Sequence, residues 1–143
     1  MEILLIIAML VLLILVVLPF WMGAPKVSSD QRLVQGVLPP GTRRYTVIKP
    51  GDMHPNQSIP LVVALHFGGH GMPFYGELFL TDFVEPGLRE LDAIMVSPDC
   101  PAKDWTQPES ERFVLDLIDW IFDQYPVDPK RVLLAGFSMG GIG

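Results

Sequence analysis

The chain has 143 residues, half of them apolar, a single cysteine and a formal net charge of −6. The acidic balance excludes a general nucleic-acid binder, which needs a basic face. One cysteine, Cys100, excludes an internal disulfide framework and a multi-cysteine zinc cage. The apolar residues are unevenly spread: 21 of the first 24 residues are apolar, against about 42% of the remaining 119, an ordinary globular share. The chain therefore divides into an oily leader and enough polypeptide for at most one domain.

The leader, residues 3–24, predicts a transmembrane helix. Ile3 to Leu18 is an unbroken run of 16 apolar residues, and Phe20 to Ala24 extend it beyond Pro19. As a helix it would span roughly 33 Å, close to the hydrocarbon thickness of a bilayer. Trp21 stands where an interfacial aromatic belongs. A cleavable signal peptide fits less well. Only Met1 and Glu2 precede the run, no Lys or Arg comes before Lys26, and Pro25 follows the one small-residue cleavage site at Ala24. A retained signal anchor is therefore expected. Lys26 and Arg32 just after the span tilt toward a cytoplasmic soluble part, but two charges leave the membrane side open.

Residues 25–41 are polar and proline-bearing and read as a linker. Residues 42–143 read as the N-terminal part of an α/β domain. Four strand signals appear. Arg44 to Lys49 is rich in Tyr, Thr, Val and Ile and is stopped by Pro50-Gly51. Leu61 to Phe67, Ala93 to Val96 and Val132 to Ala135 are continuous apolar runs, the pattern of parallel strands covered on both faces. A helix precedes the last strand. Phe113, Leu117, Ile121 and Tyr125 recur at spacing four, Thr106 to Glu109 fits a capping box, and Pro126 and Pro129 end the segment. A weaker helix falls between Tyr75 and Leu91, with Pro86-Gly87 expected to break it. This alternation predicts a mostly parallel sheet with helices on both faces. Charge also segregates, +2 up to Gly76 and −8 from Glu77 onward, so the part near the leader is the more basic one.

The chemistry concentrates in two glycine-rich segments. Gly136-Phe137-Ser138-Met139-Gly140 is a G-x-S-x-G directly after an apolar strand. A nucleophilic serine on a tight strand-to-helix turn needs strained dihedrals, and glycines two residues either side let strand and helix approach without Cβ clashes. The helix start then aims N–H groups at developing negative charge. Ser138 is the candidate nucleophile. His66-Phe67-Gly68-Gly69 closes the Leu61 strand. By position, the Met139 and Gly68 N–H groups would form an oxyanion hole. His66, Phe67, Trp105 and Phe137 are candidate lining residues, with His66 expected to order its loop through hydrogen bonds. Phe74, Tyr75, Phe79 and Phe83 could wall an acyl pocket or pack a core. His66 and His70 lack an acidic or cysteine partner at ligand spacing, so neither a metal nor a cofactor is expected.

The segments LVVALHFGG, SPDCPAKDW and VDPKRVLLAGFSMGG resemble the α/β-hydrolase superfamily. The similarity is to its esterase branch: carboxylesterase/phospholipase-like, dienelactone-hydrolase-like or polyhydroxyalkanoate-depolymerase-like proteins. It extends over residues 44–143. It implies the α/β-hydrolase fold, Ser138 as nucleophile and a small-molecule or polymeric substrate with an ester, thioester or amide bond. One departure is local: Phe67 stands where the family usually has a glycine after the histidine. The family order is serine, then Asp or Glu, then His, whereas this chain runs five residues past Ser138. A domain truncated after the nucleophile elbow, with its acid and base outside the chain and no activity alone, is therefore expected. The alternative is a non-catalytic, membrane-tethered binding module. Nothing in the sequence separates esterase from peptidase, thioesterase or depolymerase.

Overall fold

The computed structural model describes residues 30–143, apart from 55, 70 and 71. The expected transmembrane helix at 3–24 lies outside the described residues. Among those described, no helix is long and apolar enough to cross a membrane.

Five strands form one sheet: β1 (Gln31–Leu38), β2 (Arg43–Pro50), β3 (Ile59–Leu65), β4 (Ile94–Pro98) and β5 (Val127–Gly136). Their order is β1-β2-β4-β3-β5. β3 lies parallel to both β4 and β5, whereas β2 is antiparallel to β1 and β4. The sheet is thus mixed rather than mostly parallel: its three apolar strands are parallel as expected, and an antiparallel hairpin is added at one edge. β5, expected to be covered on both faces, forms the other edge of the described sheet, with Val132, Leu133 and Leu134 exposed.

That hairpin corrects the linker expected at 25–41 over the described residues 31–38. Gln31–Leu38 pairs residue for residue with β2, from Gln31 opposite Pro50 to Leu38 opposite Arg43. Its turn closes with Gly41 N–H donating to the Leu38 carbonyl at 2.9 Å, and Gly41 takes φ +96°, a value that favours glycine. β1 carries no burial signature because only Leu38 is buried. An edge strand wetted on both sides need not alternate polar and apolar residues.

Side-chain alternation along the inner strands builds two cores. Leu61, Val63 and Leu65 of β3 join Ile94 and Val96 of β4 and Tyr45 and Val47 of β2 on one face. Helix α3 (Pro108–Gln124) covers that face with Phe113, Leu117 and Ile121, all fully buried. Val62, Ala64, Met95 and Ile48 point to the other face and meet Phe79, Leu80 and Val84. Fully burying such a side chain contributes about 1.5–3 kcal/mol. The result is a sheet sandwiched between helical layers.

The second layer departs from expectation at Pro86. Helix α1 (Gly76–Phe79), a π-helical turn (Leu80–Val84), helix α2 (Glu85–Leu88) and a 3-10 turn (Arg89–Leu91) run on without interruption. Pro86 has no N–H to give Asp82, and its ring crowds that carbonyl. The wider π turn just before it absorbs the mismatch, so the chain bulges rather than breaks. At α3 the capping box does not form. Gln107 is the N-cap and its side chain makes no capping bond, while Thr106 donates its N–H and hydroxyl to Asp104 instead, at 3.0 and 2.6 Å. Pro108 opens the helix, as a residue lacking an N–H can. Pro129 falls within β5 and plays no part in ending α3.

Candidate active site

β5 ends at Gly136, and helix α4 (Met139–Ile142) begins three residues later. Ser138 sits between them with φ +53° and ψ −114°. For a residue with a Cβ this is a sparsely populated region, costing about 1–3 kcal/mol. The flanking glycines make the turn possible. A Cβ on Gly136 would stand 2.1 Å from the Gly140 carbonyl oxygen, and one on Gly140 would stand 1.9 Å from the Leu65 carbonyl oxygen. The first contact lets β5 fold back on α4, and the second seats α4 against the end of β3. Gly140 N–H donates to the Phe137 carbonyl and Gly141 N–H to the Ser138 carbonyl, both at 3.0 Å. Ser138 itself is exposed. Met139 is the first helical residue, so its N–H lies outside the intrahelical pattern. Its side chain packs on the α3-side core.

The other glycine-rich segment follows β3. Gly68 and Gly69 are exposed. A Cβ on Gly68 would lie 4.0 Å from Met139 Sδ, ordinary contact, which places this loop beside the start of α4. Gly69 is more confined: with φ +157°, its added Cβ would meet the Tyr75 hydroxyl at 2.0 Å.

His66 is buried and holds this loop in place. The Cys100 N–H donates to His66 Nε2 at 3.0 Å, which makes Nε2 the acceptor and leaves Nδ1 as the donor. Nδ1 lies 2.7 Å from the Phe67 carbonyl oxygen. The Trp105 indole N–H donates to the His66 carbonyl at 2.9 Å, and its ring packs edge-on to the imidazole with centroids 5.1 Å apart. His66 thus orders its loop, as expected from the sequence. With both nitrogens so engaged, it is not placed to act as a base. Trp105 is buried, and it reaches the site through this loop rather than as an open wall. Its own loop is fastened by Asp104. The Thr106 hydroxyl donating to Asp104, with further donors on Gln107 and the Thr106 backbone, holds that carboxyl below the usual range.

One feature was not singled out from the sequence. Asp99 accepts from the Phe74 N–H at 2.7 Å and the Gly76 N–H at 2.9 Å, fastening the start of α1 to the end of β4. Gly76 must be small there, since a Cβ would meet Ser97 Oγ at 2.5 Å. The ring of Phe67, a candidate lining residue, stands edge-on to Tyr75, Phe79, Phe83 and Phe137. The aromatic residues at 75, 79 and 83 thus divide between core and surface: Phe79 is buried, while Phe83 is exposed.

His54 is remote from this arrangement. It lines a surface cleft of about 510 Å³ with Lys49, Met53, Asp123, Gln124, Tyr125 and Pro126, at the end of β2 and the start of β5. That is the opposite end of β5 from Ser138. Among the described residues, no group of three or more His, Cys, Asp or Glu side chains could hold a metal ion.

No family model matches the sequence, and no curated protein matches it. Solved structures do. A thermostable esterase is 26% identical with a TM-score of 0.62, over 80% of this chain and 36% of its own. A mutant of the feruloyl esterase module from Clostridium thermocellum, complexed with sinapinate, is 18% identical with a TM-score of 0.61, over 86% of this chain and 50% of its own. A thermophilic carboxylesterase cloned from a metagenomic library is 23% identical with a TM-score of 0.57, over 85% of this chain and 41% of its own. The chain thus spans between about a third and a half of the length of these structures.

Proposed function

We propose that this chain, which resembles the esterase branch of the α/β-hydrolase superfamily in fold and motif, carries the nucleophile of a serine hydrolase acting on ester bonds. One observation supports this most strongly: Ser138 holds φ +53° and ψ −114° on a turn that only glycine at 136 and 140 permits. A strained, exposed serine between a strand end and a helix start has little structural use, and such strain concentrates where chemistry needs it.

In the proposed reaction, Ser138 Oγ attacks the ester carbonyl carbon and loses its proton to a base. The carbonyl oxygen takes up negative charge facing the Met139 and Gly68 N–H groups. The C–O bond to the alcohol then breaks, and the alcohol leaves with a proton. Water cleaves the acyl-serine to release the acid. Serine needs an adjacent base for this at neutral pH. His66 and His54 do not supply it, for the reasons given above, so the base is assigned to polypeptide outside the described residues.

Hydrolysis of p-nitrophenyl acetate by the protein expressed from its full reading frame should fall roughly 10⁴-fold or more in Ser138→Ala. Activity that survives this substitution would refute Ser138 as nucleophile, and a full-frame protein with no hydrolysis at all would favour the non-catalytic module.

Membrane attachment is proposed from the sequence, on the Ile3 to Ala24 run. Alkaline carbonate should leave the protein in the membrane pellet, and deletion of residues 3–24 should release it. Extraction of the intact protein by carbonate would contradict an anchor.

A further inference from the structure

Phe67 departs from the family pattern at the position before Gly68, and its surroundings show what the ring does there. Phe67 is half-buried, and its underside packs on the core formed by Phe79, Leu80 and Val84. Its ring centroid lies 5.8 Å from Tyr75, 6.1 Å from Phe79 and 6.3 Å from both Phe83 and Phe137. All four neighbours stand nearly perpendicular to it, at 77–85°. This is the edge-to-face arrangement that the ring quadrupole favours. Two of the neighbours are open to solvent, Phe83 at 53% and Phe137 at 62% exposure.

These rings are fixed to the reacting groups by the backbone. Phe67 directly precedes Gly68, and Phe137 directly precedes Ser138. The ring contact between Phe67 and Phe137 therefore bridges the proposed oxyanion loop and the proposed nucleophile turn. An apolar surface at such a place would lie beside the group that the ester carbonyl carries. An alkyl chain would gain only from leaving water there. An aryl ring would gain that and also edge-to-face contact with rings already set in that geometry.

We infer that Phe67, Phe83 and Phe137 form an aromatic platform beside Ser138 that selects esters whose acyl part carries an aryl group. This rests on the serine hydrolase reading of Ser138, and the experiment separates the two. Methyl 3-phenylpropionate and methyl 3-cyclohexylpropionate present rings of the same size that differ in aromaticity. With the full-frame protein, kcat/KM should favour the phenyl ester about three- to ten-fold. The preference should fall toward one in Phe67→Leu and in Phe83→Leu, the latter an exposed position that tests the platform even if the Phe67 variant does not fold. Binding of free 3-phenylpropionate and 3-cyclohexylpropionate to the Ser138→Ala protein, followed by calorimetry, should show the same preference without any reaction. Hydrolysis of both esters at equal kcat/KM, or a preference unchanged in both leucine variants, overturns the platform and leaves the hydrolase standing. A binding preference in a full-frame protein that hydrolyses neither these esters nor p-nitrophenyl acetate leaves the rings as an aryl-binding surface and overturns the hydrolase reading.

Discussion

Gly140→Ala should destabilise the protein by roughly 3 kcal/mol or more and remove the reactivity of Ser138 with it. The added Cβ would stand 1.9 Å from the Leu65 carbonyl oxygen and 2.9 Å from that of His66. Both are backbone atoms at the end of β3, so no side-chain rotation relieves the contact. Either α4 lifts away from the sheet or the end of β3 shifts. The first carries off the Met139 N–H, and the second displaces the loop that holds Gly68. Gly87→Ala is the matched control. A Cβ there meets nothing within 4 Å, and the position is helical. It should be stabilising by a few tenths to about 1 kcal/mol. Urea denaturation of the two variants measures the contrast directly. A Gly140→Ala protein as stable as the parent would show that the turn is not packed as described.

Phe113→Ala should cost about 3–5 kcal/mol, the usual loss for a buried aromatic truncated to a methyl. Phe113 is fully buried against the face of the sheet formed by Leu61, Val63, Ile94 and Val96, and the Arg43 guanidinium lies 5.3 Å from its ring centroid. Arg43 is tied in turn to Asp116 at 2.5 Å. Removing the ring thus empties a core site and strips the apolar support from a charged pair at its rim. Leu115, two residues on and 54% exposed, belongs to the opposite side of α3. Leu115→Ala should change stability by less than about 0.5 kcal/mol. Equal losses at 113 and 115 in thermal or urea denaturation would mean that α3 is turned differently on the sheet.

The parts legible in the sequence are those where one residue or one period decides the structure. β3 and β4 declare themselves because both faces are buried, which demands unbroken apolar runs, whereas the equally apolar β5 lies exposed at an edge. α3 declares itself through the four-residue recurrence of Phe113, Leu117 and Ile121. The nucleophile turn is legible because its backbone geometry leaves no alternative to glycine at 136 and 140. The hairpin strand β1 is hidden for the opposite reason. It lies at an edge, hydrogen-bonded on one side, and its sequence need not alternate. The capping box does not form because the helix begins one residue later than its spacing requires, with Gln107 rather than Thr106 at the N-cap, and Thr106 donates its N–H and hydroxyl to Asp104 instead. Pro86 did not end its helix because a π turn absorbed the missing hydrogen bond, a local adjustment that composition does not encode.

The candidate site divides the same way. Ser138, Met139 and Gly68 follow from local chain geometry, so spacing alone could nominate them. His66 could be assigned a loop-ordering role, but not its partners, since Cys100 and Trp105 lie 34 and 39 residues away. The aromatic platform was legible only residue by residue: Phe67, Phe83 and Phe137 were each candidates, but they come from the loop after β3, the π turn and the turn after β5, and only the folded chain brings their rings together.

The central claim is that Ser138 is built to be acylated. Its most direct test is covalent. The protein from its full reading frame is treated with a fluorophosphonate, digested, and its peptides are weighed by mass spectrometry. The expected result is one adduct, on the peptide containing Ser138, that disappears in Ser138→Ala. An unmodified Ser138 peptide in a folded full-frame protein, or an adduct that persists on another residue after the substitution, would contradict it.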